Sequence, residues 1–150
     1  MSKTEYPDLP RVAVGALVVH ENHLLLVRRG NSPGRGTWAV PGGSIRLGET
    51  LKHAVERETM EETGLRIRAD HPVHTFDLIQ HDSEDRIRYH YVIVDFIGRY
   101  LSGELRPGDD ALEARWVAIE DLHRYEVNRI TRELVEHVVV QNTLPDTGYP

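Results

Sequence analysis

Hydrophobic and polar positions along the chain first follow the pattern of paired strands. Residues 11–19 are rich in β-branched side chains, and a polar turn at 21–23 separates them from a second apolar run at 24–29. Two such runs on either side of a turn predict two strands. After a loop that carries three glycines and a proline, residues 37–40 predict a short strand that ends in a sharp turn at 41–43.

The middle of the chain changes to a helical pattern. Residues 49–63 mostly favour helices, and Gly64 followed by Leu65 is typical of a left-handed helix end with its apolar follower. Alternating positions beyond this point predict two longer strands at 66–79 and 87–100.

The last third of the chain predicts a short strand at 113–117 and a final helix at 128–141, whose apolar stripe faces a core. Residues 1–10 and 144–150 are predicted to be loose termini. This order of strands, one helix, further strands and a final helix predicts an α/β fold in which helices cover both faces of a mixed sheet.

Composition fits one domain and excludes several classes of protein. The 150 residues, 39% of them hydrophobic, predict a single domain over 1–150 with a core of its own. The formal net charge of −6 argues against binding to nucleic-acid backbones, and the apolar runs are shorter than the roughly 20 residues of a membrane span. The absence of cysteine and of an N-terminal secretory pattern predicts a cytoplasmic location.

The predicted central helix breaks its own apolar pattern. A stripe along one side begins with Leu51 and Val55. Within roughly 40° around the axis, the same stripe ends in Glu58 and Glu62, with Glu61 beside them. These carboxylates repel one another and stand near the helix C-terminus, where the macrodipole disfavours negative charge. Both effects favour a bound cation, although an exposed acidic helix face is the alternative interpretation.

The chemistry of the side chains narrows the choice of cation. Carboxylate oxygens suit Mg²⁺, and Mn²⁺ is a possible substitute. The absence of cysteine and of a closely spaced histidine pair argues against zinc.

A longer pattern surrounds the acidic stripe and resembles the 23-residue box of the Nudix hydrolases. Every charged position and both glycines of that box match, and Thr59 stands where the family usually has an aliphatic residue. The approach to the box, residues 38–43, matches as well. The matching residues are, in order, Gly43, Glu49, Arg57, Glu58, Glu61, Glu62 and Gly64.

The resemblance implies an α/β/α sandwich with a mixed sheet and a Mg²⁺-dependent hydrolase of pyrophosphate bonds in nucleoside diphosphate-linked compounds. It further implies that Arg57 orients a carboxylate and that Glu49 pairs with Arg57 behind the metal ligands. Homodimer formation is a family expectation too. The metal ligands implied are the carboxylates of Glu58, Glu61 and Glu62 and the carbonyl of Gly42.

A general base could come from a helix glutamate or from a carboxylate of a later loop. The candidates in that loop and the strand after it are Glu113, Asp109 and Asp110. For the two aspartates a polar turn is the preferred interpretation, whereas a functional role and a surface strand position explain Glu113 equally well.

The substrate depends on residues outside the box. Arg28, Arg29 and Arg35 are candidate phosphate contacts, and Tyr89 is a candidate for stacking a base, against a solvated role for the arginines and a core role for the tyrosine. The wider sequence resembles bacterial Nudix proteins assigned to ADP-ribose pyrophosphatases, which implies cleavage of ADP-ribose to AMP and ribose 5-phosphate. Gln80 stands where some of those enzymes have a proline. A nucleoside triphosphate pyrophosphohydrolase and a catalytically silent nucleotide-sensing domain are the alternatives.

Overall fold

The computed structural model describes residues 4–140. Seven strands, two α-helices and one 3₁₀ helix make up this part of the chain. In chain order they are β1 (Arg11–His20), β2 (His23–Arg29), β3 (Trp38–Ala39), β4 (Gly42–Ser44), α1 (Leu51–Thr63), β5 (Arg66–His81), β6 (Ile87–Ser102), β7 (Ala111–Ala118), the 3₁₀ helix (Ile119–Arg124) and α2 (Arg129–Val140).

The strands form one mixed sheet in the order β3-β2-β1-β6-β5, with β4 also paired to β1 and β7 to β2. The pairing of β1 with β6 is parallel, and the other pairings are antiparallel. The end of β1 pairs with β2, whereas its middle pairs with β4, where Gly15 lies opposite Gly42. The chain between β3 and β4 therefore crosses from one strand partner to the other, and the Ala16 N–H donates to the Pro41 carbonyl at 2.9 Å in the crossing.

The two α-helices cover opposite faces of the sheet. Alternate residues of β1 belong to two different core clusters, as expected for a strand buried on both faces. The cluster on one face includes Val14, Ala16 and Val18 with Ala54 and Val55 of α1. The cluster on the other face includes Leu17 and Val19 with Leu134 and Val138 of α2. The predicted α/β fold, with a mixed sheet between helices, is confirmed.

The central helix was predicted over residues 49–63 and spans Leu51–Thr63. Thr50 caps its start by accepting the His53 N–H at 3.1 Å, and Gly64 ends it with a φ of 74° while donating to the Met60 carbonyl at 2.9 Å. No helix within residues 4–140 is long and apolar enough to cross a membrane.

One local prediction was wrong, and one element was missed. Residues 41–43 were predicted as a sharp turn, but Gly42–Ser44 is a strand paired with β1. Glycine permits this pairing, because a Cβ on residue 42 would collide with the Val14 carbonyl oxygen of the partner strand. The glycines that predicted a turn therefore serve the close approach of two strands. The 3₁₀ helix at Ile119–Arg124 was not predicted.

Candidate active site

Arg57 organises the carboxylates of α1 and of the loop before it. Its Nε and Nη2 donate to the two oxygens of Glu49 at 2.7 and 2.9 Å. Its Nη1 donates to Glu58 Oε1 at 2.8 Å and to Glu61 Oε2 at 3.2 Å. Hydrogen bonds to Glu49 and Glu58 raise the pKa of Arg57 above its ordinary value. Both contacts predicted for Arg57, with Glu49 and with a helix carboxylate, are present.

Two consecutive glycines let carboxylates approach β4. A Cβ on Gly43 would lie 2.6 Å from the Glu58 carboxyl carbon, so only glycine leaves room for that carboxylate. The Gly42 N–H donates to Glu62 Oε1 at 2.8 Å. The acidic end of α1 is therefore held against the strand that begins the motif.

Burial shifts the titration of two of these carboxyl groups. It raises the pKa of Glu62 from its ordinary 4.5 to about 8, against the opposing effect of the Gly42 N–H and with a further rise from the charge of Glu58. Burial also raises the pKa of Glu58, although the hydrogen bond from Arg57 opposes this shift. A nearby positive charge would favour the ionised form of both groups, which is the electrostatic condition for a cation site.

A later loop brings a fourth carboxylate to the site. The Gly108 N–H donates to the Glu62 carbonyl at 3.0 Å, so the loop packs against the end of α1. Asp109 follows with a φ of 52°, a left-handed conformation that is uncommon for a residue other than glycine. Its charge raises the pKa of both Glu58 and Glu62. We refer to Glu58, Glu61, Glu62 and Asp109 as the acidic cluster.

The acidic cluster has the donor chemistry of a hard divalent cation site, because all its side-chain ligands are carboxylate oxygens. In the conformation described, no three acidic or histidine side chains within residues 4–140 converge closely enough to hold an ion. The contacts of Arg57 explain this, since Glu58 and Glu61 both turn towards its guanidinium. A bound ion would require these two side chains to rotate.

Arg29 is the candidate phosphate contact whose charge reaches the acidic cluster, where it lowers the pKa of Glu62. Its Nε donates to the Pro33 carbonyl at 2.7 Å, which fixes the side chain at the end of β2. Arg35 is exposed in the loop that follows. Of these two, Arg29 is the better placed to meet an anionic substrate.

Glu113 and Arg28 contact each other on the surface. The register of β7 against β2 places them opposite one another, and Arg28 Nη1 donates to Glu113 Oε2 at 3.2 Å. The Glu113 side chain is 39% exposed and also contacts Arg115 at 3.4 Å. The structure therefore brings Asp109, and not Glu113, to the acidic cluster.

Tyr89 is buried, with 2% of its surface exposed. The Arg88 guanidinium lies 5.3 Å from the centre of its ring. A ring enclosed in this way offers no free face to a nucleobase, so its placement corrects the prediction that Tyr89 stacks a base.

Arg46 was missed by sequence reasoning. Its backbone N–H donates to Glu49 Oε1 at 3.0 Å, and its Nη2 lies 3.4 Å from Glu61 Oε1. The signal that could have found it is its position inside the motif, between Gly43 and Glu49, in the loop that must fold back towards α1.

Comparison with known proteins identifies the family. The model of the NUDIX domain matches residues 9–138 of the chain. ADP-ribose pyrophosphatase of Methanocaldococcus jannaschii is 37% identical over 113 residues, which cover 75% of this chain and 64% of that protein. Nucleoside triphosphatase NudI of Klebsiella pneumoniae is 29% identical over 136 residues, which cover 81% of this chain and 92% of that protein.

The relatives differ in length from this chain. The chain spans 64% of the Methanocaldococcus jannaschii protein and between 40% and 49% of three further curated relatives. Among solved structures, the MutT NUDIX hydrolase from Burkholderia pseudomallei has a TM-score of 0.70 at 29% identity, with 87% of this chain and 99% of that chain covered. Because the family model extends over nearly all of the described residues and the acidic cluster lies at the motif, the chain belongs to the NUDIX domain family.

Proposed function

We propose that the protein hydrolyses the pyrophosphate bond of ADP-ribose, giving AMP and ribose 5-phosphate, with Mg²⁺ bound at the acidic cluster. The observation that carries the proposal is the joint position of Arg57, Glu58 and Glu62 against Gly42 and Gly43. An exposed acidic helix face would not need a half-buried arginine, with a side chain 12% exposed, nor glycines at the positions where a Cβ would collide with a carboxylate or with β1.

The metal ligands proposed are Glu58, Glu61 and Glu62, with the Gly42 carbonyl as a fourth oxygen. Mn²⁺ is the expected substitute because it accepts the same oxygen ligands. Bound at this site, Mg²⁺ supplies charge neutralisation on the diphosphate oxygens and activation of a water molecule. The half-buried Arg57 then balances the charge of the carboxylates from the side away from the ion, and Glu49 fixes the orientation of Arg57.

Asp109 is the general base that the geometry favours. It is exposed, it follows the loop that packs on the end of α1, and its charge acts on two members of the cluster. An exposed carboxylate beside the ligands can take the proton of an attacking water. Glu113 is less suited to this role because Arg28 and Arg115 engage its carboxylate.

The choice of ADP-ribose as the substrate rests on sequence similarity to a relative. The relative named ADP-ribose pyrophosphatase shares 37% identity with this chain. Arg29 supports the choice of a diphosphate, since a fixed guanidinium beside the acidic cluster suits a phosphate oxygen that the cation leaves unpaired.

A nucleoside triphosphate is the second candidate, with release of a monophosphate and pyrophosphate. The relative named nucleoside triphosphatase, at 29% identity, supports it. Gln80, in place of the proline found in some ADP-ribose enzymes, also favours it.

The test is an assay with Mg²⁺ against ADP-ribose and a set of nucleoside triphosphates, with Glu62→Gln beside the natural sequence. Cleavage of ADP-ribose in preference to triphosphates, lost in the variant, is the expected result. A preference for one triphosphate would move the proposal to the second candidate. Nucleotide binding without any cleavage would instead support a nucleotide-sensing domain.

A further inference from the structure

Glu61 of the acidic cluster lies between two guanidinium groups. Its Oε2 accepts from Arg57 Nη1 at 3.2 Å, and its Oε1 lies 3.4 Å from Arg57 Nη1 and 3.4 Å from Arg46 Nη2. The side chain of Arg57 is 12% exposed, whereas that of Arg46 is 66% exposed. The Glu61 carboxylate therefore joins an arginine shielded by the protein to an arginine in solvent.

The two arginines differ in the other groups that they bind. Arg57 also donates to Glu49 at 2.7 and 2.9 Å and to Glu58 at 2.8 Å. Among residues 4–140, the Arg46 guanidinium contacts Glu61 alone. If the Glu61 carboxylate turned away, Arg57 would keep its other partners and Arg46 would have none in this part of the chain.

The backbone of Arg46 is held in place independently of Glu61. Its N–H donates to Glu49 Oε1 at 3.0 Å, and its carbonyl accepts the Glu49 N–H at 2.9 Å. Because Glu49 also pairs with Arg57, this loop is attached to the shielded side of the site. Only the Arg46 side chain is then free to change its partner.

A purely structural role does not account for the contact between Arg46 and Glu61. The loop is already held by Glu49, and an exposed ion pair at 3.4 Å adds little stability because solvent screens both charges. A weak contact beside the acidic cluster is instead suited to exchange for a stronger one.

Binding of an ion at the acidic cluster would supply the occasion for this exchange. As a ligand of the proposed Mg²⁺, the Glu61 carboxylate has to turn away from the guanidinium groups that it meets in the conformation described. Arg46 already reaches the place that the carboxylate would leave, so its N–H donors would then face an anion held by the ion. A planar guanidinium fork matches the oxygens of a phosphate group.

We propose that Arg46 changes its partner during binding, from Glu61 before Mg²⁺ is bound to a phosphate oxygen of the substrate afterwards. The proposal rests on the proposed function, because it takes Glu61 as an ion ligand and a diphosphate as the group at the ion. Arg46 then opposes binding of the ion alone and favours binding of the ion together with the substrate. Through Arg46, each of the two raises the affinity of the protein for the other.

Calorimetric titration of Mg²⁺ without nucleotide tests the first half of the exchange. Arg46→Gln removes the charge, and we expect it to bind Mg²⁺ up to about fivefold more tightly, because the ion no longer has to displace an exposed ion pair. Arg68→Gln is the matched control. It removes the same charge from an exposed residue of β5 whose neighbours Ile67 and Ala69 face α1, so the affinity should not change.

The loss of a positive charge near the site could also raise the Mg²⁺ affinity through the electric field alone, and Glu61→Gln separates the two causes. In the Glu61→Gln background Arg46 has no carboxylate to hold, so Arg46→Gln should have no further effect on the affinity. An increase of equal size in both backgrounds would overturn the exchange.

The second half of the exchange requires a substrate analogue that is bound and not cleaved. In α,β-methylene ADP-ribose a CH₂ group replaces the bridging oxygen of the diphosphate. At saturating Mg²⁺, Arg46→Gln should bind this analogue about tenfold more weakly, as for the loss of a charge-assisted hydrogen bond. Arg46→Lys keeps the charge without the fork and should recover part of the affinity. A structural residue would not change the two affinities in opposite directions.

Failure of the exchange and failure of the proposed function give different results. Unchanged Mg²⁺ affinity in Arg46→Gln, shown by thermal unfolding to be folded, would overturn the exchange, as would unchanged affinity for the analogue. The natural sequence could instead bind α,β-methylene ATP and not the ADP-ribose analogue, with Arg46→Gln still acting on Mg²⁺ through Glu61. That result would overturn the proposed substrate and leave the exchange intact.

Discussion

Arg57 and Glu49 form a two-pronged ion pair, with Nε–Oε2 and Nη2–Oε1 distances of 2.7 and 2.9 Å. The Glu49 side chain is 6% exposed, so the pair is shielded from water. Lysine has no planar fork and cannot reproduce both hydrogen bonds. Arg57→Lys is therefore expected to lose about 1–3 kcal/mol of unfolding free energy, measured by urea denaturation, and to lower kcat. An unchanged denaturation midpoint would contradict this role of the pair.

The same pair predicts acid sensitivity. The hydrogen bond from Arg57 lowers the pKa of Glu49 from its ordinary 4.5 to about 2. A depressed native pKa adds stability above the unfolded value, and this contribution disappears as the pH falls from about 4.5 towards 2. Glu49→Gln should therefore flatten the dependence of the melting temperature on pH in this range. Equal slopes for the two proteins would speak against the assignment.

Glu62 should make metal binding depend on pH, in a range above the acid range in which Glu49 acts. Its raised pKa of about 8 means that the metal-free protein loses stability as the pH rises from about 4.5 through 8, because the folded state then has to ionise a buried group. Metal binding needs the ionised carboxylate and releases a proton, so the affinity for Mg²⁺ should increase up to about pH 8 and then level off.

Glu62→Gln provides the control for that prediction. A divalent ion bound as proposed would contribute several kcal/mol to transition-state stabilisation, so kcat/KM should fall at least about 100-fold in this variant. The variant should also be at least as resistant to heat as the natural sequence at pH 8 without metal. Calorimetric titration of Mg²⁺ at three pH values would detect the lost pH dependence.

Substitution by alanine should have different effects on stability and activity at Gly42 and at Gly43. A Cβ on Gly43 meets the Glu58 carboxylate at 2.6 Å, and a carboxylate at the end of a side chain can move aside. Gly43→Ala should thus keep the fold and lose activity. A Cβ on Gly42 meets the backbone of β1, which cannot move aside, so Gly42→Ala should be the less stable variant. Circular dichroism melts and the hydrolysis assay separate the two outcomes.

Asp109→Asn tests the general base. Asparagine tolerates the left-handed backbone at this position, so the loop should retain its structure. Loss of a general base typically lowers kcat by about 10²–10⁴. Asp110→Asn and Glu113→Gln are matched controls and should retain activity within a few-fold. If Glu113→Gln is the variant that loses activity, the base lies on β7.

Two fully buried threonines of α1, Thr59 and Thr63, should differ in what they lose on substitution by valine. Thr59 Oγ1 donates to the Val55 carbonyl at 2.8 Å, a contact that valine can replace with apolar packing. Thr63 Oγ1 also accepts the Leu65 N–H at 3.2 Å, so Thr63→Val leaves a buried donor unpaired. We expect a loss of about 1–3 kcal/mol for Thr63→Val and less than about 1 kcal/mol for Thr59→Val, from denaturant unfolding.

The sequence was sufficient to predict α1 and the position of its carboxylates because the signals are local. The Gly64 end and the apolar-to-acidic stripe lie within a few turns of helix, and each has a direct structural counterpart, whereas the cap by Thr50 was not predicted. The ion pair of Glu49 with Arg57 was implied by the resemblance of this segment to the Nudix box, and the structure contains it.

Contacts between segments far apart in the sequence could not be predicted from the sequence. The pairing of Arg28 with Glu113 joins residues 85 positions apart and depends on the register of β2 against β7, which no local pattern fixes. The approach of Asp109 to Glu62 depends in the same way on how a loop packs at the end of α1. For Tyr89 the sequence left a core role and a stacking role open, since alternation along β6 does not distinguish a substrate face from a core face, and the structure shows the core role.

The layer beneath α1 has a consequence for the choice of ion. The buried residues of this helix, Ala54, Val55, Thr59 and Thr63, are all small, so the helix lies close to the sheet and its carboxylates stand close to the two glycines. Discrimination between Mg²⁺ and the larger Ca²⁺ depends on the size and rigidity of the oxygen cage. For the Mg²⁺ site proposed above, the thickness of this hydrophobic layer is expected to set the distance between the carboxylates and the glycines, so exchange of a core residue such as Val55 should change the preference for Mg²⁺ over Ca²⁺ without touching a ligand.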